Sequence, residues 1–145
     1  MHTLKQCLDE IGGENIVIYK DIFSLGTPSL VFTYMGDAFI IQPLPSNYFS
    51  LDSIIIVNAG WMFVNKDEKT AAMEVINDVN KQQGYFPKIV LFEDEEKGMC
   101  SLSSNATVPF DLKIPNICSY LRDSIHDFFG IQQLFKMFYA KTKTQ

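Results

Sequence analysis

The chain has 145 residues, a net charge of −5, one arginine (Arg122), 47% hydrophobic and 13% aromatic residues. That length suits one domain, residues 1–145, with one core, and the composition is globular rather than low-complexity. An acidic chain with so few arginines lacks the clustered cations that track phosphates, which sets nucleic acid aside; no apolar run approaches the roughly 20 residues of a spanning helix, which sets a membrane aside.

No basic leader and apolar stretch opens the chain, so a soluble cytoplasmic protein is expected. Cys7, Cys100 and Cys118 are odd in number and lack metal-ligand spacing, which points to buried thiols in a reducing compartment. The sequon at Asn105 is then incidental.

In chain order, Leu4, Cys7, Leu8 and Ile11 form one apolar stripe of a short helix over residues 2–11, ended by Gly12 and Gly13. A first strand follows within residues 16–24. Residues 30–42 form a hairpin in which Gly36-Asp37 makes a two-residue turn, pairing Tyr34 with Phe39 and Phe32 with Ile41. Both pairs, with Leu30, fall on one face for a helix to cover; Val31, Thr33, Met35, Ile40 and Gln42 form a mixed second face. Residues 46–51 make a loop carrying Tyr48 and Phe49. Four consecutive β-branched residues, Ile54 to Val57, predict a central strand buried on both faces, and Asn58-Ala-Gly60 marks a bulge or a turn before Trp61.

Residues 65–84 read as a capped helix. Asn65 serves as N-cap with Glu68 three residues on, and Lys81 and Gly84 mark the far end. Ala72, Val75, Ile76 and Val79 share its buried face, leaving Lys66, Thr70, Asp78 and Lys81 in water. Residues 88–93 and 99–103 form a second hairpin across the acidic turn 94–98, whose carboxylates guard its edge. A last helix runs from Pro115 to about Ala140, with a core stripe that includes Leu121, Ile125, Phe128, Ile131 and Phe135; residues 141–145 are expected to be disordered. The order predicts an α+β domain, an antiparallel sheet of about five or six strands with three helices packed on it.

The hairpin Leu30-Val-Phe-Thr-Tyr-Met-Gly-Asp, the helix Ala71-Ala-Met-Glu-Val-Ile-Asn-Asp-Val-Asn80 and the strand Lys88-Ile-Val-Leu-Phe92 together resemble the YbjN family of bacterial sensory transduction regulators. The resemblance spans about residues 5–138 and implies the type III secretion chaperone-like fold. It carries over no catalytic residue and implies a non-enzymatic, protein-binding chain that can dimerise. The first hairpin is less acidic than the family's usual one, and the interruption at Asn58-Ala-Gly60 departs from its pattern.

No catalytic, cofactor or metal motif stands out. Cys118 and His126, eight residues apart on one helix, sit about 12 Å from each other and cannot act as a pair. Asp123, His126 and Asp127 read as a solvated face, and residues 93–96 lack the spacing of a calcium loop. Asn77 points to solvent, whereas Asn80 is placed to bond the backbone of the loop 82–87. Phe129, Leu134 and Met137 lie off the core stripe of the last helix, so at least two of them are expected to be exposed, as a partner-binding patch or homodimer contact. The alternative is a small-ligand binder or enzyme with a pocket of scattered aromatics such as Tyr34, Trp61 and Tyr85; Trp61 itself reads first as core.

Overall fold

The computed structural model describes residues 1–44, 52–82 and 87–143. The elements in order are α1 (His2–Ile11), β1 (Glu14–Tyr19), β2 (Ser29–Tyr34), β3 (Asp37–Pro43), β4 (Ser53–Asn65), α2 (Lys69–Gln82), β5 (Lys88–Asp94), β6 (Met99–Pro109) and α3 (Ile117–Lys143). All strands pair antiparallel in one sheet of order β1-β2-β3-β4-β6-β5. The expected class, an antiparallel six-stranded sheet with three helices, is therefore the observed one. The loops expected at 46–51 and 82–87, with Gly84 and Tyr85, lie largely or wholly outside the described residues.

The hairpin differs from expectation by one residue in its turn. Tyr34 pairs with Asp37 and Phe32 with Phe39, so the turn residues are Met35 and Gly36, both at positive φ, 49° and 84°. A two-residue turn of this kind needs positive φ at both positions, and only the second falls on a glycine. Because the pairing moves by two, the faces survive: Leu30, Phe32, Tyr34, Phe39 and Ile41 are all buried together.

β4 is central, between β3 and β6, but it is not buried on both faces. Ile54 and Ile56 are buried while Ile55 and Val57 are half-buried, because the helices cover one side only. Past Asn58 the strand bulges. Asn58 pairs with Ser104 and Met62 with Leu102, so residues 59–61 stand opposite Ser103 alone. Gly60, at φ 56°, makes the bend, and its N–H donates to Ser103 Oγ at 2.9 Å. The bend turns Trp61 toward the helices, where Nε1 donates to Ser104 Oγ at 3.0 Å and the ring meets Phe135 edge-on.

Two apolar clusters lie between sheet and helices. One joins α1, β2, β3 and the first half of α3; the other joins α2, β5, β6 and the second half of α3. Where β4 and α3 pass from one to the other the contact is polar: Gln132 Nε2 donates to Asn58 Oδ1 and to Asp37 Oδ2, and Asn58 Nδ2 donates to the Ala38 carbonyl. Each buried amide is thus satisfied, which is what allows polar groups at a packed interface.

The start of α2 departs from the capping-box expectation. A 3-10 turn, Lys66–Glu68, precedes it and the Asn65 side chain makes no cap bond. Glu68 is drawn away to α3, accepting from Tyr139 Oη at 2.9 Å and pairing with Lys143 at 3.2 Å. The Tyr139 hydrogen bond, with Lys143, holds the Glu68 carboxyl below its usual range, while burial and Glu68 push the Tyr139 phenol up to about 12. Those contacts also keep α3 helical through Lys143, past the point where the chain was expected to fray. The buried face of α2 is Ala72, Val75, Ile76 and Val79, as the wheel requires.

Cys7 of α1 and Cys118 of α3 form a disulfide, with Cα atoms 4.8 Å apart, and Cys100 is the free, buried cysteine. This corrects the expectation of three thiols: partners 111 residues apart leave no local spacing to read. Disulfides belong to oxidising compartments, so the inference from an odd cysteine count to a reducing one loses its basis.

Asn80 does more than bond a loop. Its Nδ2 donates to the Ile89 carbonyl at 3.1 Å and its Oδ1 accepts from the Ile89 N–H at 2.9 Å, occupying the outward backbone groups of Ile89 on edge strand β5. Asn80→Ala should lower unfolding free energy by about 1–3 kcal/mol in a denaturant titration, since both Ile89 groups lose their partner, whereas Asn77→Ala, at an exposed site, should stay within about 0.5 kcal/mol. Replacing Cys7 and Cys118 with serine should cost about 2–4 kcal/mol in the same titration, because the closed loop is long.

Candidate functional site

All three helices pack on the side of the sheet that carries Leu30, Phe39, Ile56 and Leu102. Among the described residues the other side has no helix. By strand alternation and the observed register it presents Val31, Ile40 and Val57 in one row across β2, β3 and β4, all half-buried, and Phe63 and Phe92 beyond the bulge.

These two phenylalanines define the most exposed part of that face. Phe63 on β4 and Phe92 on β5 both stand opposite Ser101 of β6, one on each side, and they are 60% and 58% exposed. Two strand intervals separate them, about 10 Å. Directly between them lies Ser101, with Ser103 one same-face step along β6 on one side and Met99 on the other. The result is a shallow trough with aromatic walls and a floor of serines. The Gly60 bulge shapes its end, since a Cβ built at Gly60 would lie 3.7 Å from Phe63 Cζ.

The opposite end of the face is closed by the segment 20–28, pinned through Gln42. Gln42 is fully buried; its Nε2 donates to Asp21 Oδ1 at 2.6 Å and to the Thr27 carbonyl, and its Oε1 accepts from Ser29 Oγ and the Phe23 N–H. Asp21 also accepts from the Leu25 and Gly26 amides. The Gln42 hydrogen bond, then those two amides, hold the Asp21 carboxyl below the ordinary value of 3.8.

The residues expected to form a patch on the last helix are placed differently from one another. Met137 is 50% exposed. Phe129 is half-buried against Tyr34, Phe39 and His126, and Leu134 is half-buried against the second cluster, so one of the three is exposed rather than two. A wheel shows one helix alone, whereas Phe129 reaches Tyr34 and Phe39 of the first hairpin and Leu134 joins the cluster that holds α2.

Tyr34 and Trp61 do not share a pocket. Tyr34 packs in the first cluster and shares a 2.7 Å hydrogen bond with His126 Nε2; Trp61 packs on the second. Tyr85 lies outside the described residues. Asp123, His126 and Asp127 are exposed, as expected of a solvated face; His126 also bonds Tyr34, and Arg122 and Asp123 form an exposed ion pair at 3.5 Å. Among the described residues no three His, Cys, Asp or Glu groups gather as a metal site, and no helix is long and apolar enough to cross a membrane. In the acidic turn, Glu93 is bound by Lys69 and Lys66, and Asp94 accepts from the amides of Glu96 and Lys97. These carboxylates shape the turn; Asn80 blocks part of the edge. A cavity of about 300 Å³ beside the start of α1 is lined by Leu4, Leu44, Ile54 and Phe110 together with Thr3, Asp52 and Ser53; its lining is mixed and brings no nucleophile and base together.

Comparison of the chain with protein-family models, with curated proteins and with solved structures found no match. What the arrangement offers chemically is an aromatic-walled surface with a serine floor, on the sheet face that the described helices do not cover.

The Asp21 contacts set a pH dependence for the segment that closes the face. A carboxyl depressed in the folded state contributes stability that is present above its unfolded value and is lost as pH falls through the folded one. Hydrogen exchange at the Leu25 and Gly26 amides, corrected for intrinsic rates, should therefore accelerate as pH drops below 3.8. In Asp21→Ala those amides should exchange fast at every pH.

Proposed function

We propose that this chain is a non-enzymatic protein-binding or regulatory module that engages its partner through the open face of its sheet. The observation that carries the reading is the trough formed by Phe63, Ser101 and Phe92. Large apolar groups left exposed side by side commonly mark interaction surfaces, and walls about 10 Å apart over a serine floor suit an apolar side chain from a segment laid across the strands. The resemblance to YbjN-like proteins and their type III secretion chaperone-like fold supports the same class. A net charge of −5 argues against nucleic acid as the partner. An enzyme or small-ligand binder built on Tyr34 and Trp61 is disfavoured because the two rings serve different clusters.

A second reading keeps the end of α3 as the contact, for a partner or for a homodimer. It draws on exposed Met137 and on a shallow groove between α2 and α3 that Val75, Phe138 and Lys141 line. The two readings separate in a capture experiment. Phe63→Glu combined with Phe92→Glu should leave thermal unfolding nearly unchanged, because both side chains are exposed, and should abolish retention of proteins that the unaltered chain captures. Met137→Glu, at the exposed position, should leave retention intact; loss of binding in that variant alone would move the site to α3.

A further inference from the structure

The sheet has two edges, and they are finished differently. At β5 the Asn80 amide occupies the outer groups of Ile89. At β1 the run from Asn15 to Tyr19 contains no charge and no proline, and Val17, Ile18 and Tyr19 are 53%, 54% and 49% exposed. Consecutive strand residues point to opposite faces, so neither side of this edge is covered there. An apolar edge of this kind is a template for another strand.

The hairpin register tells which backbone groups are available. Tyr34 and Asp37 flank a two-residue turn and so exchange both hydrogen bonds; by alternation Leu30 and Phe32 direct theirs to β3, and Ser29 and Val31 direct theirs to β1. Val17 pairs with Val31 and Tyr19 with Ser29. The N–H and C=O of Ile18, between them, therefore point away from the sheet.

We propose that this edge pairs with β1 of a second copy of the chain, antiparallel, about a two-fold axis at Ile18. Charge selects both the occupant and the direction. Glu14 stands at one end of the apolar run and Lys20 just past the other, so antiparallel pairing sets the acidic end of each copy toward the basic end of the other, whereas parallel pairing sets like against like. Asp21, the next charge, is held within its own loop by Gln42, Leu25 and Gly26. The two Ile18 residues then exchange both backbone hydrogen bonds, and Val17 of each copy lies opposite Tyr19 of the other, a β-branched and aromatic pair made twice. So short a contact buries well under the roughly 1,600 Å² of a stable complex, so the dimer is weak and concentration-dependent.

Sedimentation equilibrium from micromolar to near-millimolar protein tests this. The unaltered chain should show a reversible monomer–dimer equilibrium; Ile18→Lys and Ile18→Glu should each be monomeric, and an equal mixture should recover a heterodimer, because unlike charges then meet at the axis. A monomer at every concentration overturns the inference, as does a dimer that survives Ile18→Lys. A mixture of folded variants that stays monomeric overturns the Ile18 axis. Without any substitution, the Ile18 amide should exchange with solvent more slowly as concentration rises; an unchanged rate also overturns it. The inference does not rest on the open-face reading, and Phe63→Glu with Phe92→Glu should leave the dimer in place.

Discussion

One helix has to serve the whole width of the molecule. α3 has 27 residues, about 40 Å, and its buried residues from Leu121 to Tyr139 supply both apolar clusters. The remaining elements are arranged around it: α1 is bonded to its first turn through Cys7 and Cys118, and Glu68 at the entry to α2 is tied to its last turns. Because one helix layer satisfies the core, the described helices cover the sheet once. On its second face the segment 20–28 covers the end at Gln42, and Phe63 and Phe92 are left exposed.

That arrangement also accounts for the polar contact in the middle. A long helix on a bulged strand cannot keep one apolar register throughout, and the break falls where Gln132 meets Asn58 and Asp37. Removing Gln132 alone would strand the buried Asn58 Oδ1, which costs more than an apolar contact returns. The same bulge brings Trp61 onto the helix side and sets Phe63 on the open side, so one local irregularity supplies a core contact and one wall of the trough.

Most of the fold was legible in the sequence, because alternation and helical periodicity report which side of an element is buried. Phe32, Phe39, Val75 and Ile125 lie where their periods put them. What depended on distant partners was not legible. Cys7 and Cys118 are separated by most of the chain, Glu68 left its expected cap for Tyr139, and Met35 took a positive φ that a reader would give to Gly36 alone. The trough was hidden for a related reason. Phe63 and Phe92 alternate with core residues like any strand residue, and only the position of all three helices on the other side shows that they stay exposed among the described residues. Phe129 and Leu134 failed in the opposite sense, since a wheel shows one helix alone.

The amide of Asn80 stands in for a missing seventh strand. It takes one N–H and one C=O of β5 in the manner of a neighbouring backbone, and so interrupts the ladder that another chain would need on that side. A sheet with one edge partly occupied and the other open is extended more readily at the open one. Two such sheets joined by their open edges would present the partly occupied edges at both ends, where further pairing is hindered at Ile89. The topology thus favours closed assembly over the head-to-tail addition that leads to fibres.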